Sequence, residues 1–166
     1  MELVLALAEA NVAHRTGGPF AAAVYTGDGV LAAVGVNRVE PLRAAVAHAE
    51  VVAIALAGQA AGSYHLGRLG AATLVASTEP CAMCFGAVPW AGVARLVCGA
   101  RDADARRIGF DEGDKPRDWA AALRRRGIEV VRDVLRDRAV QVLEGYARQG
   151  GTIYNGAPTG REPGGR

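Results

Sequence analysis

Two short segments of this chain carry residue types that could do metal chemistry: His48-Ala49-Glu50 and Pro80-Cys81-Ala82-Met83-Cys84. Soft thiolates with an imidazole make a good zinc donor set. Two cysteines three apart at the start of a helix can both turn toward one ion. The exposed N–H groups and the dipole at that helix end also favour thiolate over thiol. His48 brings the protein ligands to three. A structural zinc takes four, and neither segment offers a fourth, so the remaining position is open to water, which loses a proton near neutral pH when zinc binds it. Glu50, two residues from His48, can take that proton and hand it on. A Cys-x-x-Cys alone fits a redox dithiol or half a zinc ribbon as well as a catalytic site, and His-x-Glu alone says little. Their conjunction is what points to a catalytic metal.

These segments need elements to hold them. Residues 2–15 place Leu3, Val4, Leu7, Ala8 and Val12 at helical spacing, and Gly17-Gly18-Pro19 ends that helix. Phe20–Thr26 and Val30–Val36 read as strands of a hairpin turning at Gly27-Asp28-Gly29. A helix over 48–59 is apolar nearly all round and predicts burial. Further along come a central strand at 72–76, a short helix at 82–90, a strand at Ala94–Cys98 and a polar loop over Gly99–Pro116. A helix over Arg117–Arg126, a strand at Ile128–Val131 and an amphipathic helix over Val134–Gln149 complete the domain. This order predicts a mixed sheet with helices on both faces, in a single domain over residues 1–155. The glycine- and proline-rich residues 156–166 are expected to form a disordered tail.

Composition bounds the function without naming it. The 166 residues are 51% hydrophobic and 22% charged with a formal charge of +2, which excludes a disordered chain and fits one domain with a real core. No apolar run is long enough to span a bilayer, and Glu2 and Glu9 interrupt the first residues, so neither membrane anchor nor signal peptide is expected. Three cysteines are too few for a disulfide scaffold, and reduced thiols in the cytoplasm are expected. The cluster Arg124-Arg125-Arg126 lies near Asp118 and Glu129, and Arg132, Arg136 and Arg138 are interleaved with Asp133 and Asp137. That pattern reads as a solvated, ion-paired surface rather than a nucleic-acid groove.

The pairing of His-x-Glu with Pro-Cys-x-x-Cys resembles the signature of the cytidine deaminase-like superfamily, and the resemblance spans nearly all of residues 1–155. It implies a three-layer α/β/α fold with a five-stranded mixed sheet and a zinc site between two helices. It also implies one Zn2+ per chain on His48, Cys81 and Cys84, with Glu50 as proton shuttle. The reaction implied is attack of water on an amino-bearing ring carbon. Glu50 protonates the ring nitrogen and then the leaving ammonia.

Within the superfamily, further residues are similar to the guanine deaminase branch. Gly17-Gly18-Pro19-Phe20-Ala21-Ala22 matches its Gly-Gly-Pro-Phe-Gly-Ala segment, with alanine for one glycine. Asn37 lies eleven residues before His48, where the branch has a base-binding asparagine, and Trp90 stands where it has an aromatic. Gly109-Phe110-Asp111-Glu112 is similar to its Gly-Phe-Asp-Asp loop, with glutamate for the last aspartate, and Tyr154 matches a tyrosine that closes the site. The substrate-binding residues implied are therefore Phe20, Asn37, Ala49, Trp90, Glu112 and Tyr154. Phe20 can cover one face of a base, Trp90 can wall the pocket, and Asn37 offers a donor and an acceptor. Glu112 could accept from a ring N–H and an exocyclic amine, as guanine presents. Cys98, in an apolar strand, reads as a small buried hydrophobe.

The function expected is zinc-dependent deamination of a guanine-like purine base or nucleoside, by a homodimer that can exchange its C-terminal segments. The rivals are a cytosine- or triazine-type deaminase, a tRNA adenosine deaminase, and a non-catalytic zinc-fold nucleotide-binding protein. The intact Glu50 speaks against the last, since a structural metal has no use for a carboxylate beside its ligand.

Overall fold

The computed structural model describes residues 1–155, so the tail expected at 156–166 lies outside the described residues. Helix α1 (Glu2–Ala13) leads into a hairpin of β1 (Ala21–Tyr25) and β2 (Leu31–Val36). The hairpin turns where expected: Thr26 and Val30 close it through Thr26 N–H to Val30 O at 2.8 Å, and Gly29 takes a φ of +84°. After the short α2 (Val39–Leu42) come α3 (Ala49–Ala61), β3 (Thr73–Thr78), α4 (Ala82–Trp90) and β4 (Arg95–Ala100). The chain then runs through α5 (Asp102–Arg107), α6 (Trp119–Arg124), β5 (Glu129–Val131) and α7 (Arg136–Arg148).

The five strands form one sheet in the order β2-β1-β3-β4-β5, with β1 antiparallel to both neighbours and β3, β4 and β5 parallel. The alternation of side chains across the pleat separates two cores. Ala22 and Val24 of β1, Leu74 and Ala76 of β3, and Leu96 and Cys98 of β4 pack with Ala49, Ala53 and Ala57 of α3 and Val88 of α4. Their neighbours Ala21, Ala23 and Val75 point the other way, against Val4 and Ala8 of α1 and Val142 of α7. The mixed sheet with helices on both faces is thus borne out. Gly35 is required where α3 crosses β2: a Cβ there would stand 2.3 Å from Ala49 O and 2.5 Å from Ala53 N.

One expectation fails. The stretch Gly99–Pro116 is not all loop, because β4 runs on to Ala100 and α5 follows. Its polar composition hid that helix, which buries only Asp104 and Ala105. Asp104 is 1% exposed, and its carboxylate accepts from Arg101 N–H at 2.8 Å and from Arg136 Nη2 and Nε at 2.8 and 2.9 Å. Arg132 likewise turns inward, onto buried Glu79, instead of pairing with its sequence neighbour Asp133. The helices expected at 117–126 and 134–149 are shorter, at Trp119–Arg124 and Arg136–Arg148.

Leu96 is fully buried on β4, between β3 and β5. Leu96→Ala is expected to lower the unfolding free energy by about 2–5 kcal/mol in urea titrations. A loss under about 1 kcal/mol would contradict this placement of the core.

Candidate active site

The antiparallel step between β1 and β3 decides where a site can form. It sets the start of β1 beside the end of β3, and the hairpin sets the end of β2 beside both. Asn37 N–H donates to Phe20 O at 2.9 Å, and Ala21 N–H donates to Ser77 Oγ at 3.1 Å. Two helices begin at the same edge. His48 is the N-cap of α3 and Cys81 the N-cap of α4, both with extended backbone, so Glu50 and Cys84 fall in the first turns.

One cavity opens there, lined by Phe20, Asn37, His48, Glu50, Cys81, Glu112 and Tyr154 among others. His48 Nδ1 lies 3.4 Å from Cys81 Sγ and 3.7 Å from Cys84 Sγ, and the three ligand atoms lie within 4.8 Å of one another. Tetrahedral zinc with bonds of 2.0–2.3 Å separates its ligands by about 3.6 Å, so this donor set fits the ion. Cys98 is fully buried in β4 and takes no part in the cluster.

The electrostatics follow from enclosing several acidic groups together. The Cys84 thiol donates to Cys81 and holds that thiol far below its usual range, with His48 adding to the effect; Cys84 is pushed up in turn. Burial pulls His48 down, but the Cys81 thiolate beside it outweighs burial and raises it. Burial, and then the Cys81 thiolate, lift Glu50 to about 7. Burial, and then Cys81 and Glu50, lift Glu112 to about 8. A carboxyl near neutrality exchanges protons readily in both directions, as a shuttle must.

The cavity roof comes from late in the chain. Phe110 packs edge-on to Phe20 with centroids 5.0 Å apart, and Tyr154 lies 5.1 Å from Phe110. Asn37 is 1% exposed. Its Oδ1 accepts from Gly18 and Val39 N–H, both at 3.3 Å, and its Nδ2 donates to Tyr154 OH at 2.7 Å. Gly17 allows this closeness, since a Cβ there would stand 1.8 Å from Asn37 O.

Two residues implied by the resemblance stand elsewhere. Trp90 is 78% exposed and lines a separate surface groove with Phe85, Pro89 and Pro116. It ends α4, about 12 Å along the axis from the residues at its start, so it does not wall this cavity. Ala49 turns into the core between α3 and the sheet and does not line the cavity either. Two lining residues went unnoticed in sequence. Thr78 Oγ1 and Asn155 Oδ1 are buried with no hydrogen-bond partner among the described residues. Thr78 stands just ahead of the Glu79-Pro80-Cys81 turn, which could have marked it; nothing local marks Asn155.

Glu112 has a direct consequence for stability. Its pKa is near 4.5 when unfolded and about 8 when folded, so the folded chain holds that proton more tightly. The contribution is fully present below about pH 4.5 and is lost as the pH rises to about 8. Zinc-stripped protein is therefore expected to lose stability across that window relative to its Glu112→Gln variant, read as urea midpoints. Parallel curves would contradict the burial of this carboxyl.

A family model, the cytidine and deoxycytidylate deaminase zinc-binding region, matches residues 1–100. The guanine deaminase of Bacillus subtilis (strain 168) is 37% identical over 122 residues, 70% of this chain and 76% of that one. The solved guanine deaminase from Nitrosomonas europaea is 48% identical with a TM-score of 0.85, over 89% of this chain and 82% of that one. A structure in complex with 2,6-diaminopurine is 50% identical with a TM-score of 0.87, over 93% of this chain and 82% of that one. With its His-x-Glu and Pro-Cys-x-x-Cys segments converging on one donor set that fits zinc, the chain belongs to the cytidine and deoxycytidylate deaminase zinc-binding family and is a zinc-dependent deaminase.

Proposed function

We propose that this chain hydrolyses the exocyclic amine of a guanine-type purine base, giving the carbonyl product and ammonia, with Zn2+ held by His48, Cys81 and Cys84. The observation that carries the reading is that three buried carboxyls line the cavity of the metal ligands, and two of them, Glu50 and Glu112, form no ion pair among the described residues, whereas Glu79 is paired with Arg132. Bound zinc supplies an activated water. Glu50, in the first turn of α3 beside His48, carries protons to the ring nitrogen and then to the leaving ammonia. Glu112 faces the same cavity within reach of a ring N–H beside the amine, an edge that guanine presents and cytosine lacks, and near neutrality it can pass a proton at that edge. Phe20 covers one face of the ring, and Asn37 and Tyr154 close the far side. Thr78 Oγ1 and Asn155 Oδ1 offer further polar partners for a base. The guanine deaminases of Bacillus subtilis and Nitrosomonas europaea named above support the same substrate class.

The three free cysteines suit a reducing, cytoplasmic setting. No helix among the described residues is long and apolar enough to cross a membrane. We further infer a homodimer through the face bearing Trp90. That groove is lined by Phe85, Pro89 and Pro116 together with Arg125 and Arg126, and exposed Met83 and Leu56 lie on the adjacent helices α4 and α3. Wild type is expected to sediment at twice its 17.2 kDa chain mass and Trp90→Glu as a monomer. A monomeric wild type would contradict the dimer.

Ammonia release from guanine, 2,6-diaminopurine, cytosine, a triazine and a tRNA stem-loop tests the substrate. Guanine is expected to give the highest kcat/KM, and preference for cytosine or the stem-loop would sink the reading. Glu50→Ala is expected to lose at least about a hundredfold in kcat while keeping about one zinc per chain. Joint loss of metal and activity would show that Glu50 is not the shuttle. Cys98→Ser is expected to keep the zinc.

A further inference from the structure

Lys115 is the only lysine in a chain with eighteen arginines. Its side chain is 5% exposed, and its ammonium meets three different acceptors. Nζ donates to Pro80 O at 2.5 Å, lies 3.3 Å from Asp102 Oδ2, and sits 5.3 Å from the centre of the Trp119 ring. An ammonium has three N–H donors, and a carbonyl, a carboxylate and an aromatic face use all three. A guanidinium is longer and planar, with its donors in a fixed fork, and does not match three acceptors spread around a point.

The acceptors are themselves fixed. Asp102 N–H donates to Glu79 Oε2 at 3.0 Å, and Glu79 pairs with Arg132. Arg132 lies 5.5 Å from the Trp119 ring on which Lys115 also rests. What the ammonium joins is functional. Pro80 directly precedes Cys81, and Ala82, directly after it, donates its N–H to Glu112 O at 2.8 Å. The segment carrying Glu112 lies close on the start of α4: Gly113 has a φ of +69°, and a Cβ there would stand 2.9 Å from that of Ala82. The backbone on both sides of Cys81 is thus tied to one strap, by the Glu112 carbonyl on one side and by Lys115 on the other.

We propose that Lys115 is a positioning residue that locks the Pro80–Ala82 backbone to the Glu112 strap, so that the metal ligand and the base-binding carboxyl keep one geometry. It touches neither a ligand atom nor the reacting atoms. The inference rests on the zinc-deaminase reading of the site and goes beyond it by giving a role to a residue outside the cavity.

The test compares wild type, Lys115→Met and Lys115→Arg, each loaded with zinc. Lys115→Met is expected to lose zinc to a chelator about tenfold faster and to lose about tenfold in kcat, the scale seen when a support behind a metal ligand is removed. Lys115→Arg is expected to restore neither. Rates within twofold of wild type for Lys115→Met, or full restoration by Lys115→Arg, would overturn the proposal. Should the variants fail to fold, wild type alone suffices, because its single lysine can be followed by mass spectrometry during acetylation. Lys115 is expected to react at least about tenfold more slowly in the zinc-loaded protein than after zinc removal, and equal rates would overturn the proposal. Zinc release and acetylation need no purine, so a wild type inactive on guanine would sink the substrate reading while leaving these two results to decide on Lys115.

Discussion

Cys81, Cys84, Glu50 and Glu112 all become negative when they ionise, and the fold encloses them around one imidazole. Charge without a counter-ion is costly away from water. Burial, and then the Cys81 thiolate, therefore lift both carboxyls to the neutral range. A dication on the two sulfurs and the imidazole answers that repulsion directly. Burial, with the charge of the Cys81 thiolate added to it, sets Glu50's proton affinity, and the same thiolate charge suits the site to a metal. Surrounding residues serve this arrangement by shutting out water or by fixing the backbone that carries the charged groups.

Topology makes the crowding possible. An all-parallel sheet would present only strand C-termini and the following helix starts at one edge. Here the antiparallel β1 also brings its N-terminal Phe20 to that edge, and β2 brings Asn37. Small residues then let the layers close up. With glycine at position 35, α3 rests directly on β2, which fixes where His48 and Glu50 begin their helix. Glycine at 17 lets the strand entrance lie against Asn37. Long-range hydrogen bonds finish the enclosure, among them Asn37 to Tyr154 across 117 residues.

How much of this could be read from sequence depends on distance along the chain. His48 with Glu50, and Cys81 with Cys84, carry their meaning within a few residues, and the helix starts they occupy follow from local spacing. The strands were visible as short apolar runs, so the layered sheet was within reach. Phe20, Asn37, Glu112 and Tyr154 came only through a resemblance, because nothing local says that strand ends and a late loop converge. The same resemblance misplaced Trp90 in this chain, since an aromatic at the far end of α4 faces outward. Helix α5 was missed because its buried side is a single alanine and Asp104, whose partner Arg136 is 32 residues away. Lys115 escaped for a like reason: its contact with Pro80 spans 35 residues.

In the proposed site two sulfurs and one imidazole hold the zinc, with the remaining position left to water. X-ray absorption at the zinc edge of the purified protein reads this most directly. The expected spectrum has two sulfurs near 2.3 Å and two lighter atoms near 2.0–2.1 Å. A third sulfur would bring Cys98 into the site, and a shell without sulfur would remove Cys81 and Cys84 from it; either result would contradict this donor set.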